Sequence, residues 1–105
     1  MPNGWSGGFY LARKRLEQLL AKLDDHTEVG RTTKKLVTTA DLREILNHWN
    51  DDRLYVEEQD HQWYIMQFPD TKEWIVVTSE SPLYVDFRQY HEEARKERAK
   101  NHPRQ

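Results

Sequence analysis

The chain of 105 residues contains no cysteine, only four glycines and four prolines, and no long apolar run. Without cysteine there is no disulfide framework, no thiolate nucleophile and no sulfur ligand for zinc, a composition that fits a reducing compartment. Three of the four glycines lie within the first eight residues, MPNGWSGG, so the remainder has little backbone freedom to spend on glycine-rich phosphate loops. GWSGG itself lacks the lysine-serine/threonine ending and the strand-to-helix setting of a phosphate cradle. No segment approaches the ~20 apolar residues that a membrane span requires, and no basic stretch followed by an apolar run marks a leader. The expectation is a soluble, cytoplasmic, unprocessed protein with no membrane partner. Thirty-six per cent hydrophobic and 32% charged residues give one modest core and a single domain.

What the chain does have is concentrated in Arg53–Thr78, RLYVEEQDHQWYIMQFPDTKEWIVVT, its densest run of aromatic and β-branched residues. Leu54 and Val56 alternate with Tyr55 and Glu57. Trp63, Ile65 and Gln67 alternate with Tyr64, Met66 and Phe68, and Trp74 and Val76 with Ile75 and Val77. Two polar breaks, Glu58–His61 and Pro69–Lys72, read as hairpin turns. The stretch therefore reads as a three-strand antiparallel meander, with helices on one face and an aromatic surface on the other.

Around it, Met1–Gly8 reads as a flexible arm, with Trp5 either pinning it or anchoring a partner. From Phe9 the apolar residues Phe9, Ala12, Leu16, Leu19, Leu20 and Leu23 recur at three and four, which predicts an amphipathic helix over 9–23. Glu28–Lys35 is polar, with Gly30 as a turn, and Leu36–Thr38 leads, by way of a short strand or directly, into a second helix over 40–50. There Thr38 or Thr39 caps, Asp41 occupies the first turn, and Leu42, Ile45, Leu46 and Trp49 line one face. Leu83–Val85 fits either a fourth strand or a helix start capped by Ser81, and Phe87, Tyr90 and Ala94 form the stripe of a last helix. Residues 95–105 are almost wholly polar and read as a solvated, frayed end. The expected fold is a small α+β domain over 9–94 in the order α-(β)-α-β-β-β-α, between an arm at 1–8 and a tail at 95–105.

Charge is uneven. Residues 1–40 carry seven Lys/Arg against four Asp/Glu, residues 41–86 three against eleven, and residues 87–105 six against three. The acidic middle includes Asp51, Asp52, Glu57, Glu58 and Asp60, a field suited to a basic partner.

Catalytic signatures are weak. The histidines at 26, 48, 61, 91 and 102 form no metal-binding spacing, so neither metal nor cofactor is expected. Asp60-His61 reads as a solvated turn rather than an oriented base. Pro69-Asp70-Thr71-Lys72 superficially resembles the Pro-Asp and Asp-x-Lys elements of a nuclease family, but the two elements overlap on one turn and cannot converge from separate strands. Ser6, Ser79 and Ser81 lack an elbow.

Three functional classes follow from this. The favoured one is a non-enzymatic protein-binding module, an inhibitor or regulator, using an aromatic, acid-rimmed sheet surface built from Asp51, Asp52, Tyr55, Glu57, Glu58, Asp60, Trp63 and Trp74. Its partner is another protein with a basic surface, and an open sheet edge also permits a homodimer. The alternative is a winged-helix-like nucleic-acid binder using the basic ends, including Arg13-Lys14-Arg15; Glu44 on the would-be recognition helix and Glu57 on the wing oppose it. A small enzyme is the third.

Overall fold

The computed structural model describes residues 5–101. Arg53–Thr78 forms the meander its alternation implies: β4 (Arg53–Gln59), β5 (Gln62–Gln67) and β6 (Trp74–Val77), antiparallel throughout. The first hairpin turns in only two residues, Asp60 at φ 55° and His61 at φ 64°. Positive φ at both central positions matches the right-handed twist of the flanking strands, and Asp and His tolerate it better than most side chains. In the second hairpin the Phe68 amide donates to the Glu73 carbonyl at 3.0 Å and the Lys72 amide to the Phe68 carbonyl at 2.9 Å.

The meander is the middle of a larger sheet. Strands β1 (Trp5–Ala12), β2 (Glu28–Arg31) and β3 (Leu36–Thr38) extend it to six, in the order β1-β4-β5-β6-β2-β3. This corrects three expectations. Residues 5–8 are not an arm and Phe9–Ala12 not a helix: they form β1, paired with β4 from Gln59 to Arg53. The three-and-four spacing of this stretch also contains a period of two, with Phe9 and Leu11 buried and Tyr10 and Ala12 exposed, and pairing with β4 selects the latter. Residues 1–4 of the expected arm and 102–105 of the tail lie outside the described residues, as does the side chain of Trp5. Gly30 is not a turn but a strand residue pressed against β6, where a Cβ would lie 2.8 Å from the Val76 carbonyl oxygen. The turn falls at Thr32–Lys35, whose geometry the Thr32 hydroxyl holds by accepting from the Lys34 and Lys35 amides, both at 3.1 Å.

Three helices cover one face. The chain leaves β1 directly into α1 (Arg13–Ala21), which buries Leu16 and Leu20. After β3 comes α2 (Thr39–Asn47), opened by Thr38, one of the two expected caps, in a reciprocal box with Asp41: Asp41 N–H donates to the Thr38 hydroxyl and Thr38 N–H to the Asp41 carboxylate. Leu83–Val85 resolves as a helix entry, since the Ser81 hydroxyl accepts from the Leu83 amide at 3.0 Å and α3 (Tyr84–Asn101) follows.

Leu16, Leu20, Leu42, Ile45, Leu46, Leu83 and Phe87 meet the inward residues of the sheet in one continuous core. A bulge between Tyr64 and Met66 alters the alternation read from β5: Ile65 and Met66 both enter the core, and Gln67 moves to the opposite face with Tyr64. The strand is thus apolar inward and mixed outward. Trp49, expected as the core indole, is half-buried at the margin, donating its Nε1–H to the Arg53 carbonyl at 3.0 Å. Among the described side chains the buried indole is Trp63, 2% exposed.

Candidate functional site

Each strand's outward side chains fall on the face no helix covers. Tyr10 (59% exposed) and Tyr55 (44%) meet edge-on across β1 and β4 with ring centroids 5.0 Å apart, and the Arg53 guanidinium lies 3.9 Å above the Tyr10 ring. On β5 and β6, Tyr64 and Trp74 (45% exposed) form a second edge-on pair at 6.3 Å. Val76, Arg31 and Leu36 continue the face across β6, β2 and β3, because Arg31 stands opposite both Val76 and Leu36 in the ladders.

The second pair lies in an open groove of about 760 Å³, floored by Tyr64, Trp74 and Val76 and bounded by the β2–β3 turn and the β5–β6 loop. Its charged residues are Arg31, Lys34, Lys35 and Lys72 against the single carboxylate Glu73, which pairs with Lys34 at 3.3 Å. Lys35 stands 4.4 Å over the Phe68 ring. Arg31, Lys35 and Lys72 form no ion pair among the described residues. The groove is therefore basic and partly aromatic.

The eight residues singled out from the sequence separate. Tyr55 and Trp74 lie exposed on the open face, and Glu57 points to the same side, opposite Gly8 and Tyr64. Glu58, one residue on, points to the helix-covered side with Trp63, its partner in the ladder. Trp63 is in the core and cannot contribute a surface contact. Asp51 and Asp52 precede β4 and Asp60 follows it, so they sit at opposite ends of the strand, separated by roughly 25 Å at the usual rise per residue. No acidic ring assembles. The signals missed were the two-residue period hidden in Phe9–Ala12, which delivers Tyr10, and Arg31 with Lys34 and Lys35, which only the β2–β3 hairpin brings to Trp74.

Beneath Glu58 lies a buried polar cluster. His91, on α3, packs between Phe9 (5.8 Å) and Trp63 (5.2 Å), and among the described residues neither its Nε2 nor Trp63 Nε1 has a hydrogen-bond partner. Burial pushes the imidazole pKa below its ordinary value; Glu58 and Glu92 oppose that shift, while Arg95 and Arg98 add to it. A folded-state pKa below the unfolded value of about 6.5 means that the unfolded chain takes up the proton first. Stability should fall as pH drops below about 6.5, with the loss complete below the depressed folded pKa. Melting temperatures across this range should show the fall in the wild type and less of it in His91→Phe; an identical pH dependence in the two would exclude His91 as its source.

The basic triplet of α1 is largely committed to structure. Arg13 donates to the Trp49 carbonyl at 2.6 Å and pairs with Glu17, while Arg15 stacks on Tyr90 at 4.4 Å and reaches Glu93. The winged-helix order does not form either, since β1 precedes α1 and the supposed wing is the centre of the sheet. No described helix is long and apolar enough to cross a membrane, and among the described residues no group of three His, Cys, Asp or Glu is placed to hold a metal.

Fold and face together define a small α+β domain: a six-strand antiparallel sheet with three helices on one side and an aromatic surface on the other. Comparison with protein families, with curated proteins and with solved structures found no match in any of the three.

Proposed function

We propose that the chain is a non-enzymatic protein-binding module that inhibits or regulates a partner through the uncovered face of its sheet. The observation that supports this is the exposure of Tyr10, Tyr55, Trp74 and Leu36 together on one side of the same sheet. An antiparallel sheet with one solvated face usually carries polar side chains there. Large rings in water forgo roughly 25 cal/mol for every Å² a partner would cover, and aromatic side chains dominate interface energetics. The charge expected at the contact changes sign. The carboxylates first assigned to it are dispersed, and the cations of the groove replace them.

A photoreactive phenylalanine analogue in place of Gln62, within the groove, should form a protein adduct in extracts of the source cell, whereas the same group in place of the exposed Glu92 on α3 should not. Trp74→Ala should abolish the adduct while leaving the circular dichroism and melting of the chain nearly unchanged. Equal adducts at both positions, or an adduct indifferent to Trp74→Ala, would overturn the proposal.

A further inference from the structure

Resting on that reading, we infer that the groove beside Trp74 takes an acidic segment of the partner, one whose carboxylates alternate with an apolar side chain. The groove has the chemistry for both halves of such a ligand. Trp74, Tyr64 and Val76 supply an apolar floor, and Arg31 from β2, Lys35 from the β2–β3 turn and Lys72 from the β5–β6 loop stand around it. Glu73 is the one carboxylate in the lining, and Lys34 holds it. Like charges gathered on an open rim repel one another, and an anionic guest relieves that repulsion while the field steers its approach. A volume of about 760 Å³ accommodates a few side chains rather than a folded surface.

Single-stranded nucleic acid also combines negative charge with flat rings, but two features disfavour it. Stacking successive bases needs ring faces open in series. Here the two rings of each aromatic pair lie steeply inclined, 64° between Tyr10 and Tyr55 and 76° between Tyr64 and Trp74, and the guanidinium of Arg53 covers the Tyr10 face. Glu57 also lies on the face between the two pairs, where a phosphate backbone crossing the sheet would meet it. A peptide with spaced carboxylates has no such obligation to stack or to cross the sheet.

The test is fluorescence anisotropy of the full chain with three labelled probes: a peptide of alternating glutamate and tyrosine, its lysine-tyrosine counterpart, and oligouridylate. The glutamate peptide should bind, weaken as salt rises, and lose roughly tenfold or more in affinity to the Arg31→Glu, Lys35→Glu double variant. The lysine peptide should not bind. Failure of the glutamate peptide to bind, binding insensitive to the charge reversal, or equal or tighter binding of oligouridylate would each overturn the inference, the last in favour of nucleic acid. The adduct at Gln62 separates this inference from the reading beneath it. If the Trp74-dependent adduct persists in Arg31→Glu, Lys35→Glu, the face is a protein contact but the acidic segment is wrong; if the adduct never forms, the protein-contact reading itself fails.

Discussion

Replacing Trp63 with alanine should lower the free energy of unfolding by about 3–5 kcal/mol, the range for deleting a large buried ring. The indole is 2% exposed and ties β5 to two other elements: it meets Phe9 of β1 edge-on at 6.1 Å, and His91 and Tyr84 of α3 at 5.2 Å and 6.4 Å. Few neighbours can collapse into the space, because Phe9 is held by the β1–β4 ladder and His91 by its helix. Trp63→Phe should cost less than Trp63→Ala, since it keeps a ring and removes a buried N–H that has no acceptor among the described residues. Trp49→Ala, which periodicity marks as the costly change, should cost less than Trp63→Ala because that indole is only half-buried. Urea denaturation followed by circular dichroism measures all three. A loss below about 1 kcal/mol for Trp63→Ala would mean that the ring is not the centre of the core.

Gly8→Ala should destabilise the chain by about 1–3 kcal/mol, the usual cost of forcing an extra group into a packed site. At Gly8 the backbones of β1 and β4 approach so closely that a Cβ would land on the Val56 carbonyl oxygen, with the Glu57 Cα and the Tyr55 hydroxyl each 3.0 Å away. The nearest obstacle is main chain, so relief requires β1 to separate from β4 rather than a side chain to rotate. Gly7 is the control. Its neighbourhood is open, but its φ of 90° disfavours any side chain, so Gly7→Ala tests conformational strain without the collision. In Gly8→Ala, amide exchange of Phe9 and Leu11 should accelerate more than that of β5. Unchanged stability and unchanged exchange would show that β1 does not pack as described.

Local patterns carried much of this fold. The meander, a threonine cap with Asp41 in the first turn of the second helix, the burial of Phe87 and the division into a helix-covered and an aromatic face could all be read from residues close together in the chain. They depend on alternation, capping chemistry and helical spacing, whose range is a few residues. Phe9–Ala12 could not be read that way. Its apolar residues satisfy both a period of two and a spacing of three, and only β4, more than forty residues away, supplies the partner that makes it a strand. The bulge at Tyr64–Met66 and the close approaches at Gly8 and Gly30 are likewise properties of paired strands rather than of either strand alone.

For the candidate site the division is sharper. That Tyr55 and Trp74 belong to an aromatic surface follows from alternation within their strands. The sign of the charge beside them does not, because linear proximity places Asp51, Asp52 and Asp60 near the meander while the strand carries them to its two ends. Arg31 and Lys35, distant in sequence, reach Trp74 because β2 pairs with β6. A strand fixes only the side to which a residue points; which charges share a surface is decided by the order in which strands assemble, and that order was settled by tertiary packing.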